Sequence, residues 1–207
     1  YEAQEIHARQ AVLGIQETIE RWNKILTSFS MMHHIVHPNN AEDYRYLDFI
    51  YQTYKNQITA ITRMNENGRI IYTFPHDRKY INRDISNQKH VKEFLKTRKN
   101  TISDVFKSVQ NFDMIALHVP VINNGKFEGS IAIGLNFKEI ARRYLEVIKL
   151  GKTGYAWLIS RDGTEIYCPV PGHTGNSVYD NCREFPTIIT MAREMMQGKT
   201  GRTTYYF

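Results

Sequence analysis

The sequence predicts an α+β protein: one long N-terminal helix followed by two related modules in tandem. Three observations carry this. First, Met64-Asn65-Glu66-Asn67-Gly68-Arg69-Ile70-Ile71-Tyr72 recurs in outline 95 positions later as Ile159-Ser160-Arg161-Asp162-Gly163-Thr164-Glu165-Ile166-Tyr167. Each copy is an apolar strand, an Asn-Gly or Asp-Gly pair, and a second apolar strand. Those pairs tolerate the positive φ of a tight turn, so each copy reads as a β-hairpin. Second, a helical pattern and a further strand follow each hairpin. Third, Ala8, Val12, Ile15, Ile19, Trp22, Leu26, Phe29, His33 and Val36 recur at steps of four and three, with no proline before Pro38. That stripe predicts a single helix over 2–36.

A second helix is expected over 41–54, with Asn40 as its cap and Glu42 and Asp43 in its positive first turn. Strands are expected at 57–64 and 69–74, then a polar loop over 75–84. Ser86 is placed to cap a helix reaching about 97. Strands at 101–106, 114–122 and 129–136 complete a five-stranded antiparallel sheet, the last two joined by Asn123-Asn124-Gly125. A helix over 137–149 leads out of this module. The second module opens with strands at 155–160 and 165–167. A loop to about 183 comes next, then a helix over 185–197 and a strand over 203–207. The first module runs on for 44 residues past the matching point, 107–150, and the second has no counterpart. The second therefore reads as truncated, and the start in mid-helix at Tyr1 suggests an excised fragment.

Composition bounds function. The net charge of +6 is spread along the chain, densest over 89–99. That stretch reads as a solvated helix face or as attraction to an anionic ligand or membrane surface. No basic stripe with interleaved aromatics marks a nucleic-acid site. No apolar run approaches the ~18 residues of a membrane span, and no signal-peptide pattern is present. Cys168 and Cys182 lie 14 residues apart in a loop-rich stretch. A disulfide and two free thiols both fit, and no second Cys pair or nearby His supplies a zinc spacing. His33 and His37, four apart, are too few for a structural metal site, so no metal and no cofactor are expected. No phosphate loop, nucleophile elbow or other catalytic constellation is present.

On the late strands, alternation separates the bulky Ile115, Leu117, Val119, Val121, Ile131, Ile133 and Leu135 from Met114, Ala116, His118, Pro120, Ser130, Ala132 and Gly134. The bulky set builds a core. The smaller set permits close approach of the long helix or leaves room for a ligand, and His118 lies on that side.

The element order resembles the double Cache family, the PAS-like extracytoplasmic sensor domains of prokaryotic transmembrane receptors. The resemblance rests on Asn67-Gly68 with Ile71, Asp84-Ile85-Ser86 before the helix, Pro120-Val121, Gly129, and Gly151-Lys152-Thr153-Gly154-Tyr155-Ala156-Trp157-Leu158-Ile159 followed by Asp162-Gly163. It covers nearly the whole chain. It implies a long helix (1–39), a membrane-distal PAS-like ligand-binding module (40–150) and an incomplete membrane-proximal one (151–207), with transmembrane segments on both sides. It also implies a binding module, not a catalyst, on the outer side of the cell membrane. A sensor histidine kinase is the expected whole protein, with a chemoreceptor or diguanylate cyclase as alternatives. The alternative of another class is a cytoplasmic PAS-type interaction module without ligand. The implied partners are a small molecule in the first module and a second copy through the N-terminal helix, which competes with packing of that helix on its own domain. Amino-acid-binding members carry an Arg, a Trp-Tyr pair and a later Asp; the matching stretch here, Ser86-Asn87-Gln88-Lys89-His90-Val91, lacks the Arg and the Trp-Tyr. The implied cover over the pocket makes Tyr72, Arg83, Gln88, His90, Phe94, Asp104, Phe106, Asp113 and His118 the ligand-binding candidates. Arg83 would suit a carboxylate, and Asp104 or Asp113 an ammonium.

Overall fold

The computed structural model describes residues 2–36, 41–109, 111 and 113–204. They form two compact units: Ile15–Asn136, and Tyr1–Gly14 with Phe137–Phe207. Helix α1 (Glu2–Ser30) contributes to both. No helix among the described residues is long and apolar enough to cross a membrane.

In the larger unit, Trp22 and Leu26 of α1 are buried and Trp22 meets Tyr54 edge-on, its ring centre 5.1 Å away. Farther back the stripe weakens, for Val12 is exposed while Ala11 is buried. The expected helix to residue 36 instead breaks after Ser30, and α2 (His33–Val36) follows. The hydroxyls of Thr27, Ser28 and Ser30 donate to the carbonyls of Asn23, Lys24 and Thr27. Such back-bonding competes with the helical ladder and bends it. Asn40, the expected cap, and His37 of the histidine pair lie outside the described residues. A 3₁₀ turn (Ala41–Tyr44) leads into α3 (Arg45–Tyr54), which buries Leu47 and Ile50.

The sheet is antiparallel. Strands β1 (Ile58–Met64), β2 (Ile70–Phe74), β3 (Thr101–Ile102), β4 (Phe106–Lys107), β5 (Asp113–Asn123) and β6 (Lys126–Leu135) are ordered β2-β1-β6-β5-β3, with β4 also paired to β5. The strand expected over 101–106 is split because Ser103 takes over part of the ladder: its Oγ accepts from the Ala116 amide and donates to the Asp104 carbonyl. Asn124 and Gly125, at φ 47° and 79°, form the expected turn between β5 and β6.

Register sorts the side chains. Arg63 opposes Tyr72 and Ile131, and Val119 opposes Ile131. These residues share the face covered by α2 and α3, where Tyr44 stacks on Tyr72 and Tyr51 meets Phe74. Arg63, almost fully buried, donates there to the carbonyls of Ile35, Met64, Glu128 and Ser130. Thr62, Thr73, His118 and Ala132 share the opposite face. That face is covered by α4 (Lys89–Thr97), whose Val91 and Phe94 pack with Met64, Ile70 and Ile85. Helix α4 starts three residues later than its expected cap. Ser86 is instead held in a turn by its amide on the Asp84 carboxylate.

The smaller unit holds α5 (Phe137–Tyr144), β7 (Lys149–Leu150), β8 (Gly154–Tyr155), β9 (Leu158–Ile159), β10 (Glu165–Tyr167), α6 (Val178–Asn181) and α7 (Pro186–Met196). The expected exit helix thus ends at Tyr144, and the expected 155–160 strand is divided between β8 and β9. Gly14 of α1 fits against Tyr144: a Cβ there would lie 2.3 Å from the ring. Val178, Cys182, Ile188 and Ala192 form a core flanked by Trp157 and Ile159. Thr203 and Thr204 are not in a strand, and 205–207 lie outside the described residues.

The repeated phrase repeats in its hydrogen bonds. Asn65 bonds Arg69 and Gly68 bonds Asn65 in one copy; Ser160 bonds Thr164 and Gly163 bonds Ser160 in the other. The Gly68 carbonyl accepts from Ile85 and the Gly163 carbonyl from Val178, both at 2.9 Å. Ile70 exchanges bonds with Arg83 and Asn82, and Glu165 does so with Asn176 and Gly175. The two hairpins lie in different sheets.

Candidate functional site

A cavity of about 60 Å³ lies between α4 and the sheet, room for a few water molecules. Its floor is the smaller set of the late strands, Met114, Ala116, His118, Ala132 and Gly134, joined by Thr62 and Thr73. Gln88, His90, Ile85, Phe106, Ser108 and Val109 close it above. The small residues therefore leave room beneath α4, while α2 and α3 cover the bulky face.

His118 is the polar centre. It is buried, its Nδ1 is 3.2 Å from the Ser130 hydroxyl, and its Nε2 has no partner. The rings of His90 and Phe94 each lie 5.2 Å from it, and Phe106 packs on His90 at 4.0 Å. Burial pulls the imidazolium of His118 down to about 3, helped by His90, and that of His90 down to about 4. Both are neutral at neutral pH. Among the described residues, no Asp, Glu, Lys or Arg lines the cavity.

Of the nine candidates, the fold brings Gln88, His90, Phe106 and His118 to the cavity, with Phe94 packed behind. The other four lie elsewhere. Tyr72 is on the opposite face, where its hydroxyl donates to Asp48; burial and that carboxylate hold its pKa far above the usual phenol range. Arg83 is exposed on the loop after β2, and Asp113 is exposed at the start of β5. Asp104 pairs with Lys89 at 2.8 Å, tying the start of α4 to the segment after β3. Thr62, Thr73 and Ser108 lie outside the nine candidates; Thr62 and Thr73 join the pocket face through their register with Ala132, and Ser108 sits in the loop before β5.

A second cavity, of about 450 Å³, lies in the smaller unit, lined by Tyr155, Trp157, Glu165, Cys168, His173, Cys182 and Met191 among others. Both cysteines are free and buried. On α2, His34 meets Asp43 at 3.2 Å and stacks on Tyr46.

A model of the Cache domain family matches residues 1–206. No curated protein sequence matches the chain. Among solved structures, an extracellular ligand binding receptor from Desulfohalobium retbaense is similar at 18% identity and TM-score 0.71, over 95% of this chain and 35% of that one. The chain thus spans about a third of that receptor's length. The ligand-binding domain of the Pseudomonas aeruginosa amino acid chemoreceptor PctC, in complex with GABA, is similar at 15% identity and TM-score 0.66, over 87% and 79%. An extracellular domain assigned to a histidine kinase, mmHK1S-Z2, is similar at 15% identity and TM-score 0.69, over 97% and 84%. At these identities the likeness is one of fold.

Proposed function

The chain belongs to the Cache domain family, extracytoplasmic ligand-sensing domains of membrane receptors, and we propose that its larger unit senses a small uncharged molecule in the cavity over His118. The carrying observation is the unpartnered Nε2 of that buried histidine. A buried polar atom without a partner costs about 1–3 kcal/mol. A ligand offering one hydrogen-bonding group and an apolar body would recover part of that. Gln88 and Ser108 would orient it, and His90 and Phe106 would stack on it.

An amino acid fits poorly. A zwitterion needs a cation and an anion desolvated beside it, and the lining has neither. Arg83 and Asp113 are exposed away from it, and Asp104 is engaged by Lys89. A thermal-shift screen of small metabolites tests this. Uncharged, hydrogen-bonding compounds raise the midpoint, and His118→Phe abolishes the effect. A shift with amino acids alone refutes the reading.

In this reading the chain holds two PAS-like modules, supported by the matched hydrogen bonds at Gly68 and Gly163. The larger is the membrane-distal sensor and the smaller a membrane-proximal transmitter. Transmembrane segments flank them, and a sensor histidine kinase is the output, supported by the breadth of the match to mmHK1S-Z2. Ile6 and Leu13, exposed and seven residues apart on α1, supply a seam for a second copy. Ligand binding biases the larger unit between arrangements that α1 transmits, to the extent that one arrangement binds better.

A further inference from the structure

We propose that the smaller unit carries a transition-metal site, Zn²⁺ by its donor set, formed by Glu165, His173 and Cys182. The first argument is the repeat. Glu165 occupies the hydrogen-bonded position that Ile70 holds in the other hairpin. Ile70 is an ordinary core residue, packed with Ile85 and Phe94. The shared backbone therefore asks for an apolar side chain, and this copy has a carboxylate instead.

The second argument is satisfaction. Glu165 is fully buried and lines the larger cavity. Its Oε2 is 3.2 Å from His173 Nδ1, its Oε1 has no hydrogen-bond partner among the described residues, and the Cys168 thiol lies beside the carboxylate. An ionised carboxylate in such a place is costly unless a cation compensates it. Among the described residues, no Lys or Arg lines the cavity to do so.

The third argument is geometry. A carboxylate oxygen of Glu165, a ring nitrogen of His173 and the Cys182 sulfur all lie within 4.8 Å of one another. Zinc bonds of about 2.0–2.3 Å in a tetrahedron set neighbouring donors roughly 3.3–3.8 Å apart. Closure by about 1 Å is a side-chain adjustment. The supports are in place. The Asn181 side chain donates to the His173 carbonyl at 3.0 Å, and Thr174 Oγ1 bonds the backbone of Cys168 at 3.3 Å and 3.4 Å. Partners behind the ligands hold such sites in register.

Carboxylate, imidazole and thiolate together suit a borderline metal, zinc above calcium or magnesium. On binding, Cys182 releases its thiol proton to solvent. One thiolate and one carboxylate then neutralise the ion. The cavity gives it a way in and leaves the fourth position to water or to Cys168. This proposal stands apart from the His118 ligand and survives that reading's failure.

The test uses the reduced chain without any added histidine tag. It is incubated with ZnCl₂, desalted, and analysed for metal, with its thermal midpoint read against an EDTA control. One zinc per chain and a midpoint raised by zinc and restored by EDTA are expected. Cys182→Ser and His173→Ala lose the retained zinc while keeping their circular dichroism in EDTA. With Co²⁺, the wild type shows thiolate-to-metal charge transfer that Cys182→Ser lacks. Sub-stoichiometric zinc in the wild type, or retention by Cys182→Ser and His173→Ala equal to that of the wild type, overturns the proposal. So does a Cys168–Cys182 disulfide that forms to completion in the presence of zinc, and that observation needs no variant.

Discussion

Acid should loosen the larger unit well before its carboxylates titrate, because His118 and His90 are buried as neutral imidazoles. The unfolded chain takes up protons at these groups near 6.5, while the folded chain resists until about 3 for His118 and about 4 for His90. A depressed folded-state pKa means stability that is whole above 6.5 and lost as pH falls through the window down to about 4. Going from pH 7 to pH 5, each such histidine costs about 2 kcal/mol by linkage, so the pair approaches 4 kcal/mol as an upper bound. Against a domain stability of about 5–15 kcal/mol, that is a large loss. The assay is urea unfolding at stepped pH, followed by the fluorescence of Trp22, which is buried in the same unit. His118→Asn should remove about half of the slope between pH 7 and 5, and His118→Asn with His90→Asn most of it. The salt-bridged carboxylates Asp77 and Asp84 are held below their usual range, by Lys79 and by Ser86 with Arg69, and act only at lower pH. An unchanged slope in the double variant would refute the reasoning.

Gly129 has φ +98°, and a Cβ there would sit 2.0 Å from the Met64 carbonyl. Gly129→Ala should cost about 2–4 kcal/mol, read from denaturant midpoints. Arg63→Met should cost a similar amount, because four carbonyls lose their donor in the core; Arg63→Lys, with a point charge in place of a fork, should rescue little. Leu26→Asp should simply unfold the larger unit, Leu26 being buried. Ile6→Lys with Leu13→Lys should leave the fold intact and shift a dimer to monomer in sedimentation equilibrium.

Much of this was legible in the sequence because it is local. Asn-Gly and Asp-Gly fix hairpins whatever surrounds them, and the alternation on β5 and β6 separates the bulky face from the face of small residues. Tyr72 was misplaced by parity: it shares a face with Arg63, away from His118, and only cross-strand register shows this. Arg83, Asp104 and Asp113 follow from the implied cover over the pocket, but the fold leaves Arg83 and Asp113 exposed and ties Asp104 to Lys89. The break after Ser30 arises from three side-chain hydroxyls acting together, which an apolar stripe does not reveal. The metal candidate is hidden in the sequence because its donors do not form a compact Cys-His spacing. Its partners are His173, nine residues before Cys182, and a glutamate in a strand that reads as ordinary β-structure.

The most direct test of the sensor reading is histidine side-chain NMR. The chain, labelled with ¹⁵N at histidine, is titrated with the uncharged compound that gives the largest thermal shift. The account predicts that the Nε2 resonance of His118 moves and saturates at one ligand per chain, with His90 following and His173 unmoved. A compound that binds, leaves His118 and His90 unchanged and moves His173 instead would put the ligand in the smaller unit and contradict the account.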